Sequence, residues 1–129
     1  MDKIIWYREI IQKILNEYCG WAANAPAKDI QEHVCFDENR DHYFWFNIGW
    51  SGKQRVFNIV VYLRIQDNKI WVEEDWTQEG IVNDLLAHNI SKEDVVLGFH
   101  HPSKRPLTEF DLLQIQEKSN QTKIAELSM

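Results

Sequence analysis

"HYFWFNIGWSGKQRVFNIVVYLRIQDNKIWVEED", residues 42–75, decides the fold. It contains three runs, 42–50, 54–66 and 69–75, rich in the aromatic and β-branched residues that suit a pleated, half-buried strand. Ser51-Gly52-Lys53 separates the first two runs, and Asp67-Asn68, a hairpin turn signal, separates the last two. Connections this short allow neighbouring runs to pair only antiparallel. In the middle run Phe57, Ile59, Val61, Leu63 and Ile65 alternate with Asn58, Val60, Tyr62 and Arg64. A period of two places the first set on one face and the second on the other. The expectation is a β-meander of three or more strands, its apolar face packed on helices and its other face partly solvated.

The flanks supply the helices. Residues 2–19 carry Ile4, Ile5, Tyr7, Ile10, Ile11, Ile14, Leu15 and Tyr18 at helical spacing, with Gly20 as the expected stop. A linker broken by Pro26 follows, then "QEHVCFD", a short strand, and the turn-like "ENRD". After Thr77, "QEGIVNDLLAHN" reads as a short helix with Ile81, Val82, Leu85 and Leu86 inward. Ser91 followed by Asp94 resembles a helix N-cap with an acidic first turn. "VVLGF" is a buried extended run or the end of a short turn, and Thr108 caps an expected last helix over 109–118. The fold class is therefore α+β. The 129 residues form one domain, with 113–129 as an extension. A domain of this size buries roughly two thirds of its unfolded surface and needs no disulfide or metal to fold.

Composition narrows the function. Acids outnumber bases by 20 to 14, for a net charge of −6. Solitary, tight DNA binding normally rests on a basic face. Cys19 and Cys35 have no ligand spacing and read as buried free thiols in a reducing, cytoplasmic setting. No apolar run approaches the ~18 residues of a membrane span.

The chemistry-bearing clusters are weak. His100 and His101 adjoin in "GFHHPSKRPLTEF", and neighbouring side chains of an extended segment point apart, which disfavours chelation. "DWTQEG" begins like a calcium loop at Asp75, but the twelfth position is Leu86 rather than glutamate. A strand-to-helix turn in which Asp75 or Thr77 caps backbone N–H groups is the better reading. No nucleophile motif or phosphate loop is present. Lys53, Arg55, Arg64, Lys104 and Arg105 with Trp45, Trp50 and Trp71 would make a basic-aromatic surface if they converged.

Three ordered blocks carry a resemblance: "GWSGKQRV", "DNKIWVEEDWTQEG" and "ISKEDVVLGFHHPSKRPLTEF". Together they are similar to the XisI family, the fdxN element excision controlling factors found mainly in cyanobacteria. Gly49, Trp50 and Arg55, then Lys69, Ile70 and Trp71, then Asp75, Thr77 and Gly80 match that pattern in turn. Leu97, Gly98, Phe99, Pro102, Arg105, Thr108 and Phe110 match its final block. Trp76, Gln78 and Tyr62 depart from it, standing where Gly, Glu and His are usual.

The resemblance implies a small α+β accessory factor in excision of a DNA element by a site-specific recombinase, a process tied to heterocyst differentiation. It also implies a companion XisH-type protein, itself nuclease-like. The expected functional surface comprises Trp50, Arg55, Trp71, Asp75, Thr77, His100, Arg105, Thr108 and Glu109. No catalytic residue, cofactor or metal is assigned. The expected mode is protein–protein contact, with recombinase and DNA engaged indirectly and a homo-oligomer allowed. The alternatives are a DNA-binding directionality factor, and an enzyme using His100, Glu109 and Asp75.

Overall fold

The computed structural model describes residues 2–24 and 29–99. Helix α1 (Lys3–Ala23) is followed by strands β1 (Ile30–Asp37), β2 (His42–Ser51), β3 (Gln54–Gln66) and β4 (Lys69–Asp75). Helix α2 (Ile81–Ala87), a single 3-10 turn (Lys92–Asp94) and strand β5 (Val95–Leu97) complete the described chain. The five strands lie side by side in sequence order. The first four pair antiparallel, as the short turns require, and β5 returns through α2 to pair parallel with β4. The expected α+β meander is the observed architecture, and the expected final helix over 109–118 lies outside the described residues.

The turns follow their sequences. Asp67 and Asn68 both take positive φ (55° and 61°), the geometry of a two-residue turn whose twist matches a hairpin. Gly52 alone has positive φ in the β2–β3 turn, at 63°, as a leading glycine permits. Helix α1 passes through Gly20, where a stop is expected, and ends at Asn24, whose backbone N–H bonds back to the carbonyls of Ala22 and Trp21. Ser91 does not cap with its hydroxyl; its carbonyl accepts the Asp94 N–H at 2.9 Å instead.

Both helices cover one face of the sheet. Tyr7, Ile11, Ile14 and Leu15 of α1 and Ile81, Val82 and Leu85 of α2 pack on Tyr43, Trp45, Val61, Leu63, Ile70 and Val72. The alternation expected along β3 breaks in the middle. Trp45 pairs with Val61 but Phe46 pairs with Ile59, so Val60 has no cross-strand partner. This one-residue bulge reverses the phase of everything before it. Val61, Leu63 and Ile65 point into the core, whereas Phe57 and Ile59 are 64% and 40% exposed.

Two polar clusters tie the helix to the sheet ends. Asp41, at φ 61°, accepts two bonds from Arg8 (2.7 and 3.1 Å) and one from the Tyr43 hydroxyl (2.8 Å). Asp94 accepts from Lys3 at 3.0 Å and from the Tyr7 hydroxyl. Burial works against ionisation of both carboxyls, but these donors outweigh it and hold each below the usual carboxylate range. Among the described residues no helix is long and apolar enough to cross a membrane. Cys19 and Cys35 are free, as expected, but Cys35 is exposed on the outer side of β1 rather than buried.

Glycine positions give a first prediction. A Cβ at Gly49 would sit 2.8 Å from Ile30 Cα and collide with the Asp29 carbonyl, both backbone, whereas a Cβ at Gly20 meets nothing. Gly49→Ala should therefore cost about 1–3 kcal/mol, while Gly20→Ala should add about 0.5–1 kcal/mol. Urea midpoints of the two variants shifting in the same direction would contradict this packing. A second prediction concerns acid. Asp41 and Asp94 have depressed folded values, so their contribution is complete above the unfolded value of about 3.9 and fades as pH falls toward the folded ones. Stability should hold from neutral to about pH 5 and then decline. Asp41→Asn should flatten that decline, and an unchanged acid limb in urea titrations would refute the assignment.

Candidate functional site

The outer face of the sheet, away from the helices, carries most of the exposed chemistry. Pairing registers place His33, Phe44, Phe46, Ile48 and Trp50 on it, with Arg55, Phe57, Ile59, Tyr62 and Arg64 beside them and Trp71 beyond. The phase reversal at Val60 is what keeps this set on one side. Phe44 and Tyr62 stack at 4.2 Å with their planes 6° apart, and His33 stacks on Phe46 at 5.4 Å. The His42 Nδ1 lies 2.7 Å from the Tyr62 hydroxyl. Burial pushes that hydroxyl up from its ordinary value, and the nearby Arg64 only partly offsets it.

Two arginine–tryptophan pairs stand at opposite ends of β3. Arg55 lies 5.3 Å over the ring of Trp50, which is 50% exposed, and reaches the Gly49 carbonyl at 3.5 Å. Arg64 lies 4.8 Å over Trp71 and is bonded to Glu73 at 2.8 Å. The Trp71 indole N–H donates to the Gln66 carbonyl at 3.1 Å. The two guanidinium groups are separated by most of the strand, roughly 25–30 Å. One is already neutralised by a carboxylate. Trp45 belongs to the core and donates its indole N–H to Glu32 at 2.8 Å. The described part of the basic-aromatic surface is thus split rather than convergent.

Asp75 and Thr77 form a turn, as their spacing suggests. One Asp75 oxygen accepts from the Thr77 N–H (2.9 Å) and hydroxyl (2.5 Å), and the other from the Ile81 N–H (2.8 Å) at the start of α2. Gly80, at φ 89°, supplies no side chain to cap that helix, so the aspartate does so from five residues upstream. Asp75 has 0% exposure. The sequence places it on a functional surface, whereas the structure buries it as a brace, committed on both oxygens. Among the described residues no group of three or more His, Cys, Asp or Glu could hold a metal ion. His100, Arg105, Thr108 and Glu109, with Lys104, lie outside the described residues.

Sequence reading missed Phe57 and Ile59 as surface residues, because the bulge that turns them out has no sequence signature beyond the triplet Ile59-Val60-Val61. Trp76 was also missed. It is 39% exposed, and its N–H bonds to the Val60 carbonyl at 2.9 Å, ending the β3–β4 ladder. Phe57, Ile59, Val60 and Trp76 line a shallow cleft with Asn47 and Asn58.

Comparison with known proteins places this geometry. The XisI protein family model matches residues 1–112. A crystal structure of a XisI-like protein from Anabaena variabilis ATCC 29413 superposes with a TM-score of 0.76 at 31% identity, covering 82% of this chain and 95% of that one. A crystal structure of the fdxN element excision controlling factor XisI from the same organism gives a TM-score of 0.70 at 45% identity, covering 80% and 98%. A comparison with curated proteins gives no match. Gly49, in the first matched block, has a physical reason here, since a side chain there would strike backbone, whereas one at Gly98 would meet the movable end of Glu73. With the family pattern matched over most of its length and the fold shared with two such structures, the chain belongs to the XisI family.

Proposed function

We propose that this protein is an accessory factor controlling excision of a DNA element by a site-specific recombinase, and that it acts mainly through protein–protein contact. An XisH-type protein is the proposed partner. The observation that carries this reading is the outer face of the sheet. It exposes Trp50, Phe57 and Ile59 and spends Arg64 on Glu73, within a chain of net charge −6. Exposed aromatics near a half-buried apolar field suit a protein interface, where such residues supply most of the binding energy. A phosphate backbone would need several unpaired cations in a row, and the described outer face of β3 offers Arg55 and Arg64 at its two ends.

The direct test is co-purification of the full chain with an XisH-type protein, followed by titration. Complex formation should persist at high salt, and Trp50→Ala should weaken it about tenfold or more with the fold unchanged. The chain alone should show no tight, steeply salt-dependent hold on element-end DNA. Tight DNA binding without a partner, or a complex indifferent to Trp50, would overturn the proposal.

A further inference from the structure

The edge of β3 is open over half its length. β4 pairs with β3 only from Val61 onward, so Gln54–Ile59 have a strand neighbour on the β2 side and, among the described residues, none on the other. Which backbone groups face that edge follows from the ladder. The Trp50 N–H points away from β3, to the Asp29 carbonyl at 3.1 Å. Its cross-strand partner Arg55 therefore aims its own N–H and C=O outward, and by alternation so do Phe57 and Ile59. Unpaired edges of this kind are templates for another strand unless charge or proline blunts them. The β1 edge carries the inward-pointing Glu32, whereas Gln54–Ile59 contains one charge, Arg55, and no proline.

We propose that a second copy of this chain occupies the edge, antiparallel, about a two-fold axis at Val56. The run is self-complementary in that register. Gln54 meets Asn58 of the second copy, Arg55 meets Phe57, and Val56 meets Val56. These are an amide pair, a cation over a ring, and a β-branched pair. Arg55 and Phe57 both point their backbone groups outward, so the ladder closes in phase with the side chains. Charge complements the same arrangement. The hairpin tip brings Lys53 and Arg55 to one end of the edge, and Glu74, near the end of β4, lies at the other, where Glu73 is held by Arg64 and Asp75 is buried. A two-fold axis sets each basic end beside the other copy's acidic end. Centring the axis on Phe57 instead would drive Gln54 against Val60, whose carbonyl already holds Trp76.

The experiment uses the full chain with Cys19 and Cys35 replaced by serine. Sedimentation across a concentration series should show a monomer–dimer equilibrium. Phe57→Pro removes an edge-facing N–H and no bond to β2, so it should weaken the dimer about tenfold or more with an unchanged circular dichroism spectrum. Non-hydrogen-bonded cross-strand Cβ atoms lie within disulfide reach. Val56→Cys should therefore crosslink to a dimer under mild oxidation, and Asn58→Cys should not. A monomer at every concentration would overturn the proposal. So would a dimer that ignores Phe57→Pro while folding normally, or equal crosslinking at positions 56 and 58. A monomer that loses an XisH-type partner on Phe57→Pro would assign the edge to that partner instead.

Discussion

Val60 is one residue more than the strand opposite can match. Side chains along a strand alternate with a period of two, so a single unpaired residue inverts the facing of everything on one side of it. On one side of Val60 the inversion leaves Val61, Leu63 and Ile65 in the core with Tyr43 and Trp45. On the other it turns Phe57 and Ile59 away from the helices. The Val60 carbonyl accepts the Trp76 N–H on the β4 side, the last bond between β4 and β3. The aromatic outer face is therefore a consequence of one backbone irregularity, and the open edge begins beside it.

The residues that mark the family fall mainly on the constraints that hold this arrangement. Gly49 lets β1 approach β2 where a Cβ would meet backbone, and Gly98 leaves room for Glu73 beside β4. Asp75 joins the end of β4 to the start of α2 through three hydrogen bonds. Trp50, Arg55 and Trp71 differ in kind, since they lie on the outer face and bear little of the core. That division ties Gly49 and the aspartate to folding and leaves the tryptophan–arginine pairs outside the core.

Much of this was legible in the residues. The three strands of 42–75, both of their turns, α1, α2 and the Asp75–Thr77 turn follow from periodicity and turn chemistry. What was not legible depended on tertiary context. Gly20 does not end α1, because Asn24 supplies the terminating bonds. The parallel pairing of β5 with β4 needs α2 in place first, and three residues carry no orientation signal of their own. The exposure of Phe57 and Ile59 depends on register between strands, which a period-two reading takes as unbroken. The capping role of Asp75 was legible in its spacing, but its complete burial was not, because sequence does not show how closely α2 packs over the end of β4.

The register itself is the claim on which the account rests, and nuclear Overhauser contacts read it directly. Non-hydrogen-bonded antiparallel pairs bring their α-protons close together. Strong Hα–Hα contacts are predicted for Phe46 with Ile59 and for Phe44 with Tyr62 in the same sample, a pairing that skips one residue of β3. A Phe44–Val61 contact, continuing the Phe46–Ile59 register without a skip, would contradict the bulge and with it the surface derived from it.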